Sequence, residues 1–422
     1  MQKRFKLDNG LRVAARRLDY AQSASLGVWI NIGSRYETPG EKGISHFLEH
    51  LLFKGSRGYS CRKIKESIEG VGGSLNGFTS EEHTCYLVKI PHRHLPAALD
   101  ILTDMVVNPS LKASDIRKEK TVVLEELKMY RDLPQSYVNE LLDELLWPEQ
   151  PLGSPVIGTV ETVNNINRDS LRYFQKKHYT PANIVVSASG LLDYSSFFRK
   201  IDDIFSPLAG FTPNTFSSAR QSQARPRLKI FHKDTEQTHM ALGFHALRRD
   251  DPARHALSLL HIILGANMSS RLFNEVREKN GLAYEIGTGV KRYHDTGAFV
   301  VHAGIDNRKV PECLDLVLRE LEKVKKNLVS EGEFRRAKDF YLGQLSLALE
   351  DTMEDMLWMG ESVSCLDKVF SFSQVAQAVK NVSRGDLRLL AGSIFKPGLL
   401  NLALIGPPAK DEKMIYRRLN LE

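Results

Sequence analysis

Several features that would assign this protein to a common class are missing from its sequence. Its 422 residues include four cysteines, none in CxxC spacing, so we expect a reducing compartment, the cytoplasm. No run of 18 apolar residues and no apolar segment of signal-peptide length occurs, so neither a membrane span nor a leader is expected. The net charge is +7 without a basic cluster interleaved with aromatics, so nucleic acid is not an expected partner.

The elements that hydrophobic periodicity predicts occur twice in the same order, on either side of a polar segment rich in Ser, Pro, Thr, Gln and Arg. We therefore expect an α+β fold of two homologous α/β-sandwich halves, each a mixed sheet with helices packed on it. The expected domains are 1–205 and 226–422, joined by a linker at 206–225. The predicted helices are 43–54, 95–107 and 114–132 in the first half, and 256–265, 310–321 and 333–351 in the second.

The first predicted helix, in GISHFLEHLLFKG (43–55), carries two histidines and a glutamate among apolar residues. His46 and His50 are four residues apart, so they share one helical face and can both reach one metal ion. Two neutral imidazoles suit zinc. Glu49 stands beside them, where a general base for an activated water is needed. Two histidines satisfied within the core are the alternative.

The repeat provides an internal control for this motif. Aligning HFLEHLLFKG with ALSLLHIILG of the second half places Ala256 opposite His46, and Leu259 and Leu260 opposite Glu49 and His50. Because the second helix keeps the apolar pattern without these polar groups, the fold does not require them. The contrast favours a functional role over two core histidines.

A catalytic zinc usually has three protein ligands, so a third is expected elsewhere. The helix at 114–132 offers Glu119, Glu125 and Glu126, and the repeat replaces all three with uncharged residues. We take Glu126 as the third ligand and Glu119 as a carboxylate that orients a histidine or the ligand itself. Acidic residues on a solvated helix face are the alternative.

With these residues in place, the sequence resembles the inverzincin peptidases: pitrilysin, insulin-degrading enzyme and the mitochondrial processing peptidase. The resemblance rests on HFLEH, on Glu126 in VVLEEL, and on the segments 72–91, 151–159 and 268–287. It covers essentially the whole chain, and the length is similar to the short, bacterial-type, processing-peptidase-like branch. The resemblance implies that Glu49 is the base and that His46, His50 and Glu126 hold Zn²⁺.

The resemblance also implies substrate-binding residues. Asn76 lies in GGSLNGFTS, which by itself predicts a turn leading into an edge strand, where a peptide could add as a further strand. Arg277 and Tyr284 lie in REKNGLAY, and periodicity alone makes them a surface helix residue and a half-buried strand residue. In the family, an Arg and a Tyr at this location face the substrate across from the zinc, where they would stabilise the oxyanion.

The family architecture is a clam-shell of four domains, whereas this chain supplies two. We therefore expect a C2 homodimer in which Arg277 and Tyr284 of one chain complete the site of the other, with a heterodimer of related chains as the alternative. The predicted function is that of a zinc metalloendopeptidase acting on peptides or unfolded segments. The alternative is a non-catalytic scaffold or substrate-binding subunit of a processing-peptidase-like complex, although such subunits usually lack one or more of the site residues.

Overall fold

The computed structural model describes residues 2–210, 212–407 and 412–419. Two mixed sheets carry helices packed on them, which confirms the α+β class. Among the described helices, none is both long and apolar enough to cross a membrane. The helices are α1 Ile44–Leu52, α2 Cys61–Ile68, α3 Leu95–Val107, α4 Ala113–Asp132, α5 Pro134–Leu146, α6 Val160–Asn165, α7 Arg168–His178, α8 Tyr194–Phe205, α9 Arg254–Gly265, α10 Val310–Lys326, α11 Glu331–Ala348, α12 Thr352–Leu366, α13 Phe372–Asn381, α14 Arg384–Ile394 and α15 Glu412–Arg417.

The first sheet has six strands in the order β1-β2-β6-β3-β5-β4. Neighbours are antiparallel except for the parallel pair β2 and β6. The central strands β3 and β6 are almost wholly buried and rich in Val, Ile and Ala, as expected of strands covered on both faces. The strands are β1 Gln2–Lys6, β2 Arg12–Arg17, β3 Ser23–Ile30, β4 Ser74–Thr79, β5 Thr84–Pro91 and β6 Ile184–Gly190.

The second sheet has five strands in the order β7-β11-β8-β10-β9, with β7 and β11 parallel. This order repeats β2-β6-β3-β5-β4 of the first sheet position by position, including the place of the parallel pair. The match confirms that the two halves are homologous. The strands are β7 Arg227–His232, β8 Gln237–Ala246, β9 Ala283–Arg292, β10 Gly297–Asp306 and β11 Asn401–Gly406.

The helix α5 packs on the second sheet although it precedes the first half's last strand in sequence. Its residues Val138, Leu142 and Leu146 recur at helical spacing and are at most 2% exposed. They belong to one apolar cluster with Ala241 of β8 and Val300 of β10. The apolar stripe of α5 therefore completes the core of the second sheet.

The helix α12 belongs to the second half in sequence, but it packs on the first sheet. Met359 and Val363 share a buried cluster with Trp29 of β3. A Cβ added at Gly360 would lie 2.0 Å from Trp29 Nε1 and 2.6 Å from Ser187 Oγ, so this helix approaches the sheet at a glycine. The close approach explains why a residue of poor helix propensity stands inside α12.

Because α5 packs on the second sheet and α12 packs on the first, each compact unit is discontinuous in sequence. We call this arrangement the exchange of α5 and α12. Of the described residues, those within 1–128, 155–217 and 346–370 form one unit, and those within 129–154, 218–345 and 371–422 form the other. The expected domains, 1–205 and 226–422, are contiguous, so they assign α5 to the first half and α12 to the second. Periodicity shows that a helix has a buried face, but it does not identify the sheet that buries that face.

The polar segment between the halves is held in place by specific contacts. Residues 212–226 form neither helix nor strand. Asn214 donates a side-chain hydrogen bond to the Asn31 carbonyl at 2.8 Å, and the Arg35 guanidinium lies 3.9 Å from the Phe216 ring centre. Residues 212–217 of the predicted linker therefore belong to the first unit, on which they dock through side chains, and residues from 218 onward belong to the second.

Candidate metal centre

The helix α1 presents its polar residues on the face opposite its core contacts. His46 and His50 are partly exposed on this face, and the Glu49 side chain lies between them in sequence with 8% exposure. The opposite face packs into the large core of the first sheet. The apolar residues on that face are Ile44, Phe47, Leu48, Leu51 and Leu52.

A buried carboxylate fixes the beginning of α1. Glu37 accepts hydrogen bonds from the backbone N–H groups of Gly43 at 2.7 Å and Ser45 at 2.8 Å, which satisfies two donors of the first turn. Gly43 has φ +87°, and a Cβ there would lie 2.4 Å from the Ile157 carbonyl oxygen. These contacts set the direction in which α1 leaves the preceding loop.

The structure brings together His46 and His50 of α1 and Glu126 of α4. Glu126 Oε2 lies 3.9 Å from His46 Nε2 and 3.4 Å from His50 Nε2. Two ligands of a tetrahedral zinc ion, each bonded at about 2.0–2.1 Å, are about 3.4 Å apart. Glu126 Oε2 is buried without a hydrogen-bond partner, and a bound cation would satisfy it. The three residues therefore fit a metal ion.

The three side chains differ in their protonation preferences, and that of His46 suits a metal as it stands. Burial lowers the pKa of His46 to about 3, and the nearby His50 acts in the same direction, so His46 is a neutral imidazole at physiological pH. Burial raises the pKa of Glu126, while His50 opposes this effect. Burial also lowers the pKa of His50, but the hydrogen bond that His50 donates to Glu119 and the surrounding carboxylates outweigh it and raise that pKa overall.

Glu119 contacts His50 from the side away from Glu126. Its Oε1 lies 3.0 Å from His50 Nδ1, and its Oε2 lies 2.7 Å from Lys54 Nζ. A proton on Nδ1 that is donated to Glu119 leaves Nε2 of His50 as the free lone pair, directed toward Glu126. Although burial raises the pKa of Glu119, His50 and Lys54 outweigh it, so its carboxyl group stays ionised.

Glu49 occupies a separate, drier position beside the trio. Burial raises its pKa to about 7, with His50 opposing the shift and Glu126 and Glu119 adding to it. A Cβ built at Gly77 would lie 2.8 Å from Glu49 Oε1, so β4 passes directly against this carboxyl group. Glu49 therefore lies between the trio and the edge strand of the first sheet.

A pocket of ≈ 280 Å³ opens beside Glu49 and His50. Its apolar lining comes from Phe53, Ile64 and Leu75. Asn76, on the edge strand β4, also lines this pocket, and its Oδ1 accepts the Gly77 N–H at 2.8 Å. The expected edge strand and the placement of Asn76 on it are therefore present in the structure.

Arg277 and Tyr284 lie together in the second unit. Arg277 is on a π-helical segment, Phe273–Lys279, a rare local geometry that often occurs at functional sites. Its guanidinium carbon is 4.7 Å from the Phe273 ring centre and 5.4 Å from that of Tyr284. Tyr284 is 75% exposed at the start of β9, so the half-buried position that periodicity predicted is wrong.

Two residues that support the site were missed in the sequence. Lys54 stands four residues after His50, so its helical spacing could have placed it on the same face. Glu37 acts across a loop on the first turn of α1, and no periodic pattern connects the two. Contacts of this second kind are visible only in the folded chain.

The chain is similar to known families and proteins over most of its length. A model described as insulinase (peptidase family M16) matches residues 12–160, and one described as the peptidase M16 inactive domain matches residues 165–341. An uncharacterized zinc protease of Streptomyces coelicolor is 36% identical over 418 residues, covering 96% of this chain and 89% of that protein. The uncharacterized zinc protease YmxG of Bacillus subtilis is 35% identical over 407 residues, covering 96% of this chain and 98% of that protein.

Solved structures show the same fold at lower identity. A protease from Helicobacter pylori has a TM-score of 0.91 and 23% identity, covering 96% of this chain and 99% of that one. A peptidase M16 inactive domain structure from Pseudomonas fluorescens has a TM-score of 0.87 and 18% identity, covering 97% and 99%. Because the family models match most of the chain and the relatives cover nearly all of it, this protein belongs to the insulinase family of peptidases, M16.

Proposed function

We propose that this protein is a zinc-dependent metalloendopeptidase that hydrolyses peptides or unfolded segments. The observation that carries the proposal is the convergence of His46, His50 and Glu126 beside the buried Glu49. Within the described part of the chain, these three form the one group of three or more His, Cys, Asp and Glu side chains whose ligand atoms all lie within 4.8 Å of one another. The zinc protease names of the relatives support the choice of metal.

The residues of the site divide the chemistry between them. His46, His50 and Glu126 would hold the zinc ion, which supplies Lewis acidity toward a water molecule and a peptide carbonyl. Glu49 accepts a proton from the water as its oxygen bonds to the carbonyl carbon. Glu49 then returns that proton to the amide nitrogen as the C–N bond breaks, which releases the amine and the carboxylate products.

Substrate binding follows from the strand and pocket next to Glu49. The edge strand β4 can accept a peptide backbone as an added strand, which positions the scissile bond without reading the sequence. Asn76 lies on this strand, so we assign it a role in substrate binding. The adjoining pocket lined by Phe53, Ile64 and Leu75 would bind one apolar side chain of the peptide.

We further propose that the active form is a dimer, with a homodimer preferred over a heterodimer of related chains. Arg277 and Tyr284 of one chain would donate hydrogen bonds to the oxyanion formed in the site of the other. Their mutual contact and the exposure of Tyr284 support this role. The four cysteines are free thiols, which agrees with a reducing compartment, and we propose the cytoplasm.

A scaffold or substrate-binding subunit is the second candidate, because residues 165–341 match a model described as inactive. That match lies outside the segment with His46, Glu49, His50 and Glu126, which are all present. The complete set favours the peptidase.

The test is hydrolysis of a quenched fluorescent peptide library by the wild type and by Glu49→Gln, with bound zinc quantified in both. We expect the wild type to cleave peptides and the variant to retain about one zinc per chain while losing activity, as removal of a general base predicts. A wild type that contains no zinc and cleaves nothing, alone or mixed with related chains, would refute the peptidase and favour the scaffold.

A further inference from the structure

The two carboxylate oxygens of Glu119 contact two different side chains. Its side chain is 4% exposed, and its two oxygens face different groups: Oε1 faces His50 Nδ1 at 3.0 Å, and Oε2 faces Lys54 Nζ at 2.7 Å. A buried carboxylate with one of its oxygens unpaired would be costly. Lys54 therefore pairs with Oε2 of Glu119, the oxygen that His50 does not contact.

Lys54 is anchored by the same helix that carries the metal ligands. It follows the C-cap of α1, Phe53, and its Nζ reaches the carboxylate that faces His50. The Lys54 side chain is 37% exposed, whereas the carboxylate that it contacts is almost fully enclosed. Such a pair is sheltered on its acidic side, unlike an ion pair between two exposed side chains, which contributes little.

The cationic Lys54 lies in an acidic setting. Three carboxyl groups, those of Glu49, Glu119 and Glu126, act on His50 and raise its pKa. Removing the charge of Lys54 would leave Glu119 with one partner and with two acidic neighbours. Glu119 could then rotate away from His50, and the tautomer of that imidazole would no longer be fixed.

We propose that Lys54 is a positioning residue, which sets the metal affinity of the site by holding Glu119 against His50. This inference rests on the metal site of the proposed function. It assigns Lys54 no contact with substrate, although Lys54 also lines the pocket beside Glu49. A role in binding the peptide is therefore the competing explanation that an experiment has to separate.

The experiment measures the zinc dissociation constant of the full chain by competition with a chelator. Loss of a group that orients a ligand weakens metal binding by about 10–100-fold. We expect about a tenfold loss for Lys54→Met, and an intermediate loss for Lys54→Gln, which keeps an N–H donor without the charge. Lys54→Arg should restore most of the affinity. Lys65→Met is the matched control, since Lys65 lines the same pocket and is exposed, and it should leave the zinc affinity unchanged.

A double-mutant cycle tests the route through Glu119. If Lys54 acts only through this carboxylate, Lys54→Met should add nothing to the loss caused by Glu119→Gln. At saturating zinc, the KM of Lys54→Met for peptides should equal that of the wild type. Circular dichroism verifies that each variant is folded. If Lys54→Met is unfolded, Lys54→Gln replaces it in the comparison.

Three results would overturn the inference, and they can be told apart. Wild-type zinc affinity in both Lys54→Met and Lys54→Gln, whether or not the KM rises, refutes the positioning role and leaves the proposed function intact. Additive losses in the cycle show that Lys54 acts on something other than Glu119. Absence of zinc binding by the wild type refutes the proposed function together with this inference.

Discussion

A single methyl group added at Gly360 should destabilise the protein by disturbing the packing of α12 on the first sheet. In Gly360→Ala, the new Cβ would lie 2.0 Å from Trp29 Nε1, 2.3 Å from Trp29 Cε2 and 2.6 Å from Ser187 Oγ. Trp29 is 1% exposed and cannot move into solvent. It donates a hydrogen bond to Ser187 at 2.9 Å, so a displaced indole would also leave a buried donor unpaired.

The expected magnitude is the sum of opposing effects. Overpacking a filled core costs about 1–3 kcal/mol. A buried donor that loses its partner costs about 1–3 kcal/mol more. Alanine inside a helix recovers about 1 kcal/mol relative to glycine. We therefore expect Gly360→Ala to lower the free energy of unfolding by about 3 kcal/mol.

The assay is urea-induced unfolding, followed by tryptophan fluorescence and by circular dichroism. Gly343→Ala is the matched control, because Gly343 is exposed inside α11 and its Cβ would meet nothing within 4 Å. That control should be stabilising by up to about 1 kcal/mol. If Gly360→Ala were as stable as Gly343→Ala, α12 would not pack on Trp29, and the composition of the first unit would be wrong.

Three further predictions test other parts of the account. Leu142→Ala, at a fully buried position of α5, should cost about 2–5 kcal/mol, whereas Leu133→Ala, at a side chain that is 47% exposed, should change the free energy of unfolding by less than about 0.5 kcal/mol. Equal effects in urea unfolding would contradict the packing of α5 on the second sheet. Arg277→Ala should lower kcat about 100-fold at unchanged zinc content, as loss of an oxyanion donor does, and an unchanged kcat would exclude that role. Lys65→Glu should lower kcat/KM about threefold for peptides with an acidic side chain at the pocket relative to neutral ones, and an unchanged ratio would show that the pocket is not used.

The metal trio was predictable because the sequence contains both a geometric and a comparative signal. The spacing of His46 and His50 fixes a common helical face whatever the tertiary structure. The repeat then shows which polar residues the fold does not need, and these include Glu126 on a different helix. Both signals lie within helices, and the periodicity of a helix can be recognised in the sequence before its packing partners are known.

The exchange of α5 and α12 was not predictable, since an apolar stripe does not name the sheet it covers. Periodicity alone predicts a half-buried Tyr284 and is wrong for a related reason: alternation in a strand indicates a buried face, but the start of an edge strand can leave a large aromatic side chain in solvent. The contacts of Glu37 with Gly43 and Ser45 join a turn to a helix, and only the folded chain reveals them.

The most direct test of the metal site is anomalous diffraction at the zinc edge from crystals of the zinc-loaded protein. The account predicts one anomalous peak per chain, bonded to His46 Nε2, His50 Nε2 and an oxygen of Glu126 at about 2.0–2.2 Å. Glu49 should remain outside bonding distance, and Glu119 should contact only His50 and Lys54. No peak at this position, or a peak elsewhere in a protein shown to contain zinc, would contradict the account.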